Sequence, residues 1–167
     1  MAHPRTLADW QALTGDQALS DAEQQLIEDC REGAPCKLGD GMLPKRQSKA
    51  RTIRADLLRW LILGGAEDCR VHEWGVGLAG AYVEGPLDLS FAEAKGPTGL
   101  INCRFGAGIT ALATRLQFMN LTGCAVKGLN LQGASVTQDV FLRGNFKAKG
   151  EVSLAGAKIG GQLACDG

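Results

Sequence analysis

The stretch LQFMNLTGCAVKGLNLQGASV, residues 116–136, places Leu116, Leu121, Val126, Leu131 and Val136 five residues apart without a break. Cys124, Leu129 and Ala134 stand two places before the last three, and glycine follows two places after Leu121, Val126 and Leu131. Neither the 3.6-residue period of a helix nor the two-residue period of a strand gives this spacing. A coil with five-residue sides does. If each side is one face of a square coil, its central aliphatic points inward and stacks on its counterpart in the next coil, about 4.8 Å away. A small residue is expected to point inward two places earlier, near the corner, and glycine suits the corner because tight turns often need positive φ. An antiparallel sandwich with glycine-rich turns is the competing architecture, but its strands do not keep one register over five consecutive segments.

The rhythm extends outward in both directions. GLAGAYVEGPLDL (77–89) keeps it through Leu78 and Val83 with Gly80 and Gly85, and SLAGAKIGGQLAC (153–165) keeps it through Leu154 and Ile159 with Gly156 and Gly161. Leu131, Ala134, Val136, Val140 and Leu142 recur 23 residues later as Leu154, Ala157, Ile159, Leu163 and Cys165. That is four five-residue sides plus a three-residue insertion, placed in RGNFKAKGE (143–151), with a second insertion at AEAKGPT (92–98). The fold expected is mainly β, a right-handed quadrilateral β-helix over 71–167 behind an α-helical cap over 1–70. Its core stack would be Leu116, Leu121, Val126, Leu131, Val136, Leu154 and Ile159. Repeats of this kind must stack to bury an inner face, and their ends need covers.

The segments CAVKG, LNLQG and ASVTQ resemble the pentapeptide-repeat pattern, which implies a right-handed quadrilateral β-helix; the Asp or Asn usual at the second place appears only in MNLTG and LNLQG. TIRADLLRWLILGG (52–65), GVGLAGAYVEGPLDL (75–89) and GEVSLAGAKIGGQLACDG (150–167) together resemble a bacterial family of helical-cap plus β-helix proteins. Members of that family often carry the label membrane-associated oxidoreductase. The resemblance brings no catalytic residue with it.

Residues 1–70 read as helices. Ser20 with Glu23 forms a capping box ahead of AEQQLIEDC, and Gly33 supplies a stop. Thr52 is the expected cap of IRADLLRWLIL, with Ile53, Leu57, Trp60 and Leu61 along one side and Gly64–Gly65 at the end.

The formal net charge is +0, with 10 Lys and Arg against 12 Asp and Glu up to residue 75 and 8 against 6 beyond it. This gives no general attraction to nucleic acid or anionic membrane, and a coil of that balance is no acidic DNA mimic. There is no apolar run of membrane-spanning length, and MAHPRTLADW lacks the apolar core of a signal peptide. An integral membrane protein is therefore not expected, and a cytoplasmic location is the default.

Six cysteines raise the question of a metal. Cys30, Cys36, Cys69 and His72 are the candidate zinc ligands, although five residues between the first pair is wider than structural zinc sites use. Cys103, Cys124 and Cys165 fit the small inward positions of the coil, where a thiol acts as a compact apolar group. Gly75, Gly77 and Gly80 satisfy G-x-G-x-x-G, but that fingerprint binds a dinucleotide only where a strand precedes and a helix follows. Gly85 and Pro86 come too early for that helix, so no cofactor is expected. Lys45, Arg46, Lys49, Arg51, Arg54 and Arg59 put six positive charges within 15 residues, without interleaved aromatics to stack on bases.

His3 and His72 are the two histidines, and Asp88 lies between inward leucines and so points to solvent; no triad or carboxylate pair follows from spacing. GGQLACDG stops within a repeat, so the β-helix region is expected to be truncated or open at its C-terminal end: either the chain is a piece of a longer solenoid, or two copies meet there, self-associating through Ile159, Leu163 and their neighbours. The leading expectation is a non-enzymatic interaction scaffold that binds a protein partner, or itself, through coil faces or the C-terminal coil. The alternatives are an oxidoreductase and nucleic-acid binding through residues 45–59.

Overall fold

The computed structural model describes residues 6–13, 15 and 17–166 and shows a parallel β-solenoid of about 4 turns. His3 lies outside the described residues. Short strands line up in four parallel ladders, one for each face of the coil. The first face runs Cys36–Lys37, Val76–Ala79, Thr98–Ile101, Met119–Asn120, Val140–Phe141, Leu163–Ala164. The second runs Thr52–Arg54, Tyr82–Glu84, Arg104–Phe105, Ala125–Val126, Lys147–Ala148. The third stacks Leu87–Asp88, Ile109–Thr110, Leu129–Asn130 and Val152–Ser153, and the fourth stacks Arg115–Leu116, Ser135–Val136 and Lys158–Ile159 below a bridge from Glu93 to Arg115.

Leu116, Leu121, Val126, Leu131 and Val136 are all buried, one on each successive face, and Leu154 and Ile159 of the last coil pack partly buried against them. The corners show why their neighbours differ. At Leu121–Cys124, Leu131–Ala134 and Leu154–Ala157 the fourth residue's N–H donates to the first residue's carbonyl, and the third residue is glycine with φ near +70°. These are turns that need a left-handed residue in third place. They occur at every second corner, before the second and fourth faces. Asn102 and Ala113 hold the same conformation at the equivalent corners of the coil above.

Immediately after such a turn the inward residue is small: Ala81, Cys103 and Cys124 on the second face, Thr114 and Ala134 on the fourth. After the other kind of corner it is larger: Leu87, Ile109 and Leu129 on the third face, Met119 and Val140 on the first. The small residue expected two places before every central aliphatic is therefore confined to two opposite faces. Gly128, at a corner of the second kind, has no positive φ.

The insertions also resolve differently. The partner offset is 20 residues at Leu116↔Val136, 21 at Met119↔Val140, 22 at Val126↔Ala148 and 23 at Leu129↔Val152. The three extra residues are spread over three successive corners, one of them before 143, because a single added residue lets a corner bulge outward while the ladders on either side stay paired.

The N-terminal end is closed by helices. Helix α1 is Leu7–Leu13, α2 is Asp21–Glu32 and α3 is Ala55–Ile62. Ser20 and Glu23 make both bonds of the capping box, and Gly33 ends α2 at φ 76°. Thr52 does not cap α3. Thr52–Arg54 is a strand paired with Tyr82–Glu84, and the Thr52 hydroxyl donates to the Ser48 carbonyl. Ile53 is thereby the first inward residue of the second face, and burying it in the coil outweighs one more helical turn. Helix α3 then takes the place of a strand, and its Ile62 carbonyl accepts the Lys95 N–H as a coil would.

Glu23, only 3% exposed, joins the pieces. Its carboxylate accepts from Arg54 Nε at 2.9 Å, Arg54 Nη2 at 3.0 Å and the Arg54 backbone N–H, and the guanidinium lies over the Trp10 ring. Truncating one partner of a buried pair strands the other charge. Glu23→Ala is expected to cost about 3 kcal/mol in urea unfolding. The corners give a sharper contrast. A Cβ at Gly123 would run into Asn102 Oδ1 on a left-handed backbone, whereas at Gly128 the nearest atom is 3.4 Å away. Gly123→Ala should therefore lose about 2 kcal/mol or more and Gly128→Ala less than about 0.5 kcal/mol, read as urea midpoints at constant m-value.

Candidate functional site

The cysteines sort by position. Cys103 and Cys124 stack on the second face fully buried, and Cys124 Sγ donates to the Leu100 carbonyl at 2.6 Å. Burial, reinforced by the hydrogen bond with Cys103, pushes the Cys124 thiol well above its ordinary value. Cys165, expected among the small inward residues, follows the first-face strand Leu163–Ala164 in the place that Leu142 takes one coil earlier, and it is exposed.

Cys30, Cys36 and Cys69 are also buried. Desolvation first, and the nearby Asp29 carboxylate second, raise Cys30 and Cys36 to about 12. Desolvation raises Cys69 as well. His72 Nδ1 accepts the Trp74 N–H at 3.1 Å, and its ring meets the indole edge-on at 5.2 Å. Among the described residues no three His, Cys, Asp or Glu side chains converge on a point where a metal ion could sit.

The six basic residues of 45–59 do not share one face. Arg51 donates to the carbonyls of Gly80 and Met42 and pairs with Asp40, holding the 39–42 turn against the coil. Arg54 is committed to Glu23, and Arg59 Nε donates to the Asp88 carbonyl at 2.9 Å, fastening α3 to the third face. Lys45, Arg46 and Lys49 are exposed. The three arginines thus tie the cap to the first coil.

The glycines of 75–80 are coil glycines. Gly75 and Gly80 sit at corners with φ of 74° and 77°, Gly77 lies in the first-face strand against Pro35, and the strand Tyr82–Glu84 follows where a dinucleotide fold would need a helix. Asp88 is exposed as expected. Bonds from the Ser90 hydroxyl and the Ser90 N–H lower its carboxyl, making it a turn-forming residue of the same kind as Asn120 and Asn130, whose side chains accept from the N–H two residues on.

Two surfaces stand out. One is the last coil, whose strands Lys147–Ala148, Val152–Ser153, Lys158–Ile159 and Leu163–Ala164 are each the final member of a ladder. Val152 is 39% and Leu163 42% exposed there. The other is a groove of about 570 Å³ along the second face, lined by Leu43, Tyr82, Arg104, Lys127, Lys147 and Lys149 among others. Arg104, Lys127 and the pair Lys147 and Lys149 are far apart in sequence and form no run; a 21- to 22-residue coil repeat brings 104, 125–127 and 147–149 onto one face, and tracing that repeat would have found them.

No family model, no curated protein and no solved structure matches the chain. Its class rests on its own geometry: a helix-capped parallel β-solenoid, compatible with the pentapeptide-repeat type of β-helix. No helix among the described residues is long and apolar enough to cross a membrane.

The thiols give a pH dependence with a definite sign. Unfolded cysteine releases its proton near 9, while Cys30 and Cys36 hold theirs to about 12 in the fold. Their contribution to stability is therefore complete below pH 9 and is lost as pH rises towards 12. Urea midpoints should fall steadily across that window, and Cys30→Ala with Cys36→Ala should flatten the fall. A chromogenic thiol reagent at pH 8 should modify Cys165 in the native protein and the five buried thiols only on unfolding.

Proposed function

We propose that this chain is a non-enzymatic interaction scaffold whose last coil takes a second copy of the same chain. The observation that carries the reading is the asymmetry of the solenoid's two ends. At the N-terminal end α2 and α3 pack on the first strands, where the Gln25 amide donates to the Lys37 carbonyl and the Glu23 carboxylate accepts the Arg54 N–H. At the other, four ladders end together in strands paired on one side only, beside exposed Val152 and Leu163 and half-buried Leu154 and Ile159. Unpaired strand edges with apolar neighbours are a template for further β-pairing.

Coil stacked on coil satisfies both needs at once. A second copy meeting this one end to end brings backbone edges together on four sides and buries the same aliphatic columns that run through each protomer. The arrangement is isologous, so a closed dimer is the expected product. The likeness to pentapeptide repeats supports the same reading, since such coils present rigid surfaces rather than catalytic clefts.

Light scattering coupled to gel filtration tests this. The unaltered chain should elute as a dimer, and Val152→Lys combined with Leu163→Lys should give monomers with an unchanged circular dichroism spectrum. A monomer at high concentration, or a dimer indifferent to the two lysines, sinks the proposal.

A further inference from the structure

The second-face groove shares the strand Lys147–Ala148 with the last-coil edge but carries its own chemistry on the outward side. Pairing of Val126 with Ala148 sets Lys127 and Lys149 side by side on adjacent coils, and Lys147, two residues before Lys149, lies on the same outward side. Like charges in register across neighbouring strands destabilise a sheet. Among the described residues none of the three lysines, nor Arg104, enters an ion pair. Of the carboxylates close to this face, Glu84 is two coils from Lys127 in the ladder and accepts from Gln47, and Glu151 follows Lys149 at the next corner, where its backbone carbonyl accepts the Leu129 N–H. A face of a neutral protein thus gathers four cations, none of them ion-paired among the described residues, in a concave surface.

The rest of the groove is built to match. Arg104 Nε donates to the Pro44 carbonyl at 2.7 Å, which fixes the guanidinium and leaves its two terminal amino groups uncommitted. That bond also holds the Leu43–Pro44 loop across the N-terminal end of the groove, so an extended polymer has no straight path along the solenoid axis. Tyr82 lies against Gly106: a Cβ at that glycine would come within 2.7 Å of the phenol oxygen. The hydroxyl has no hydrogen-bond partner among the described residues. Half-buried Ala125, in register between Arg104 and Lys147, forms a floor between the cations, with Leu43 as an apolar wall, while Ala148 stacks inward on Val126.

We propose that this groove binds an organic phosphate, a small molecule with a phosphate group on an apolar or aromatic body. Ammonium groups act as point charges on phosphate oxygens, and an arginine fork adds directional bonds. The tyrosine hydroxyl supplies one more donor, and Ala125 and Leu43 take the body. The volume lies in the range of small-molecule sites.

Calorimetric titration with phenyl phosphate tests the assignment, with inorganic phosphate, phenol and a single-stranded oligothymidylate titrated in parallel. Phenyl phosphate should bind saturably, more tightly than phosphate or phenol, and more weakly as salt is raised. Lys127→Glu with Lys149→Glu should weaken it about tenfold or more, Tyr82→Phe by a smaller factor, and Lys158→Glu, on the fourth face, not at all. Circular dichroism melts confirm that each variant is folded; the Lys127→Glu, Lys149→Glu double variant keeps a like-charge pair and should melt with the unaltered chain. Absence of saturable phenyl phosphate binding overturns the proposal, as does an affinity indifferent to the lysine changes. Oligothymidylate binding with phenyl phosphate no better than inorganic phosphate replaces it with a nucleic-acid surface.

Discussion

Everything in this molecule depends on the lateral pairing of short parallel strands in register from one coil to the next. Each strand is only two to four residues long and no coil can bury its own interior. Stability comes from columns: Leu78, Leu100, Leu121 and Leu142 on the first face, Val83, Phe105 and Val126 on the second, each fully or nearly fully buried. A column tolerates changes of shape, such as phenylalanine between valines, provided the backbone ladders on both sides keep their spacing. That condition is why extra residues appear at corners and never within a strand.

The two kinds of corner follow from the same constraint. A turn with a left-handed third residue swings the chain sharply, and the next side chain lands in a narrow angle of the interior that holds alanine, cysteine or threonine. Where threonine stands, at Thr114, its hydroxyl donates to the Leu89 carbonyl at 2.7 Å, so that even the polar member of the column is satisfied internally. Phe91 takes the left-handed place at the first corner before the fourth face with φ 62° while 80% exposed. The structure offers no packing reason for an aromatic there.

The helical cap solves the problem that the first coil has no predecessor. It supplies strand partners at Cys36–Lys37 and Thr52–Arg54, then substitutes α3 where the coil would have turned back. Basic residues that look in sequence like a ligand patch are the fasteners of this junction, because arginine can reach backbone carbonyls of the coil and a buried carboxylate of the cap with the same fork. The cationic groove arises from the opposite situation: lysines on an outward face, stacked by the ladder and engaged in no ion pair.

Much of this was legible in the chain. The five-residue spacing of Leu116 to Val136 identified the solenoid and its inward residues, because inward-facing positions recur with the side length whatever lies between them. The capping box at Ser20 and Glu23 was equally local. What the spacing did not give was the difference between alternate corners, the spreading of three extra residues over three turns, and the strand at Thr52–Arg54, since each depends on which segment lies alongside. The sequence by itself determined the coil, for the period of a side is a local property. Only the tertiary structure decided the partnership of Arg54 with Glu23, the grouping of Arg104 with Lys127, Lys147 and Lys149, and the free edges of the last coil, because lateral pairing joins residues some twenty positions apart.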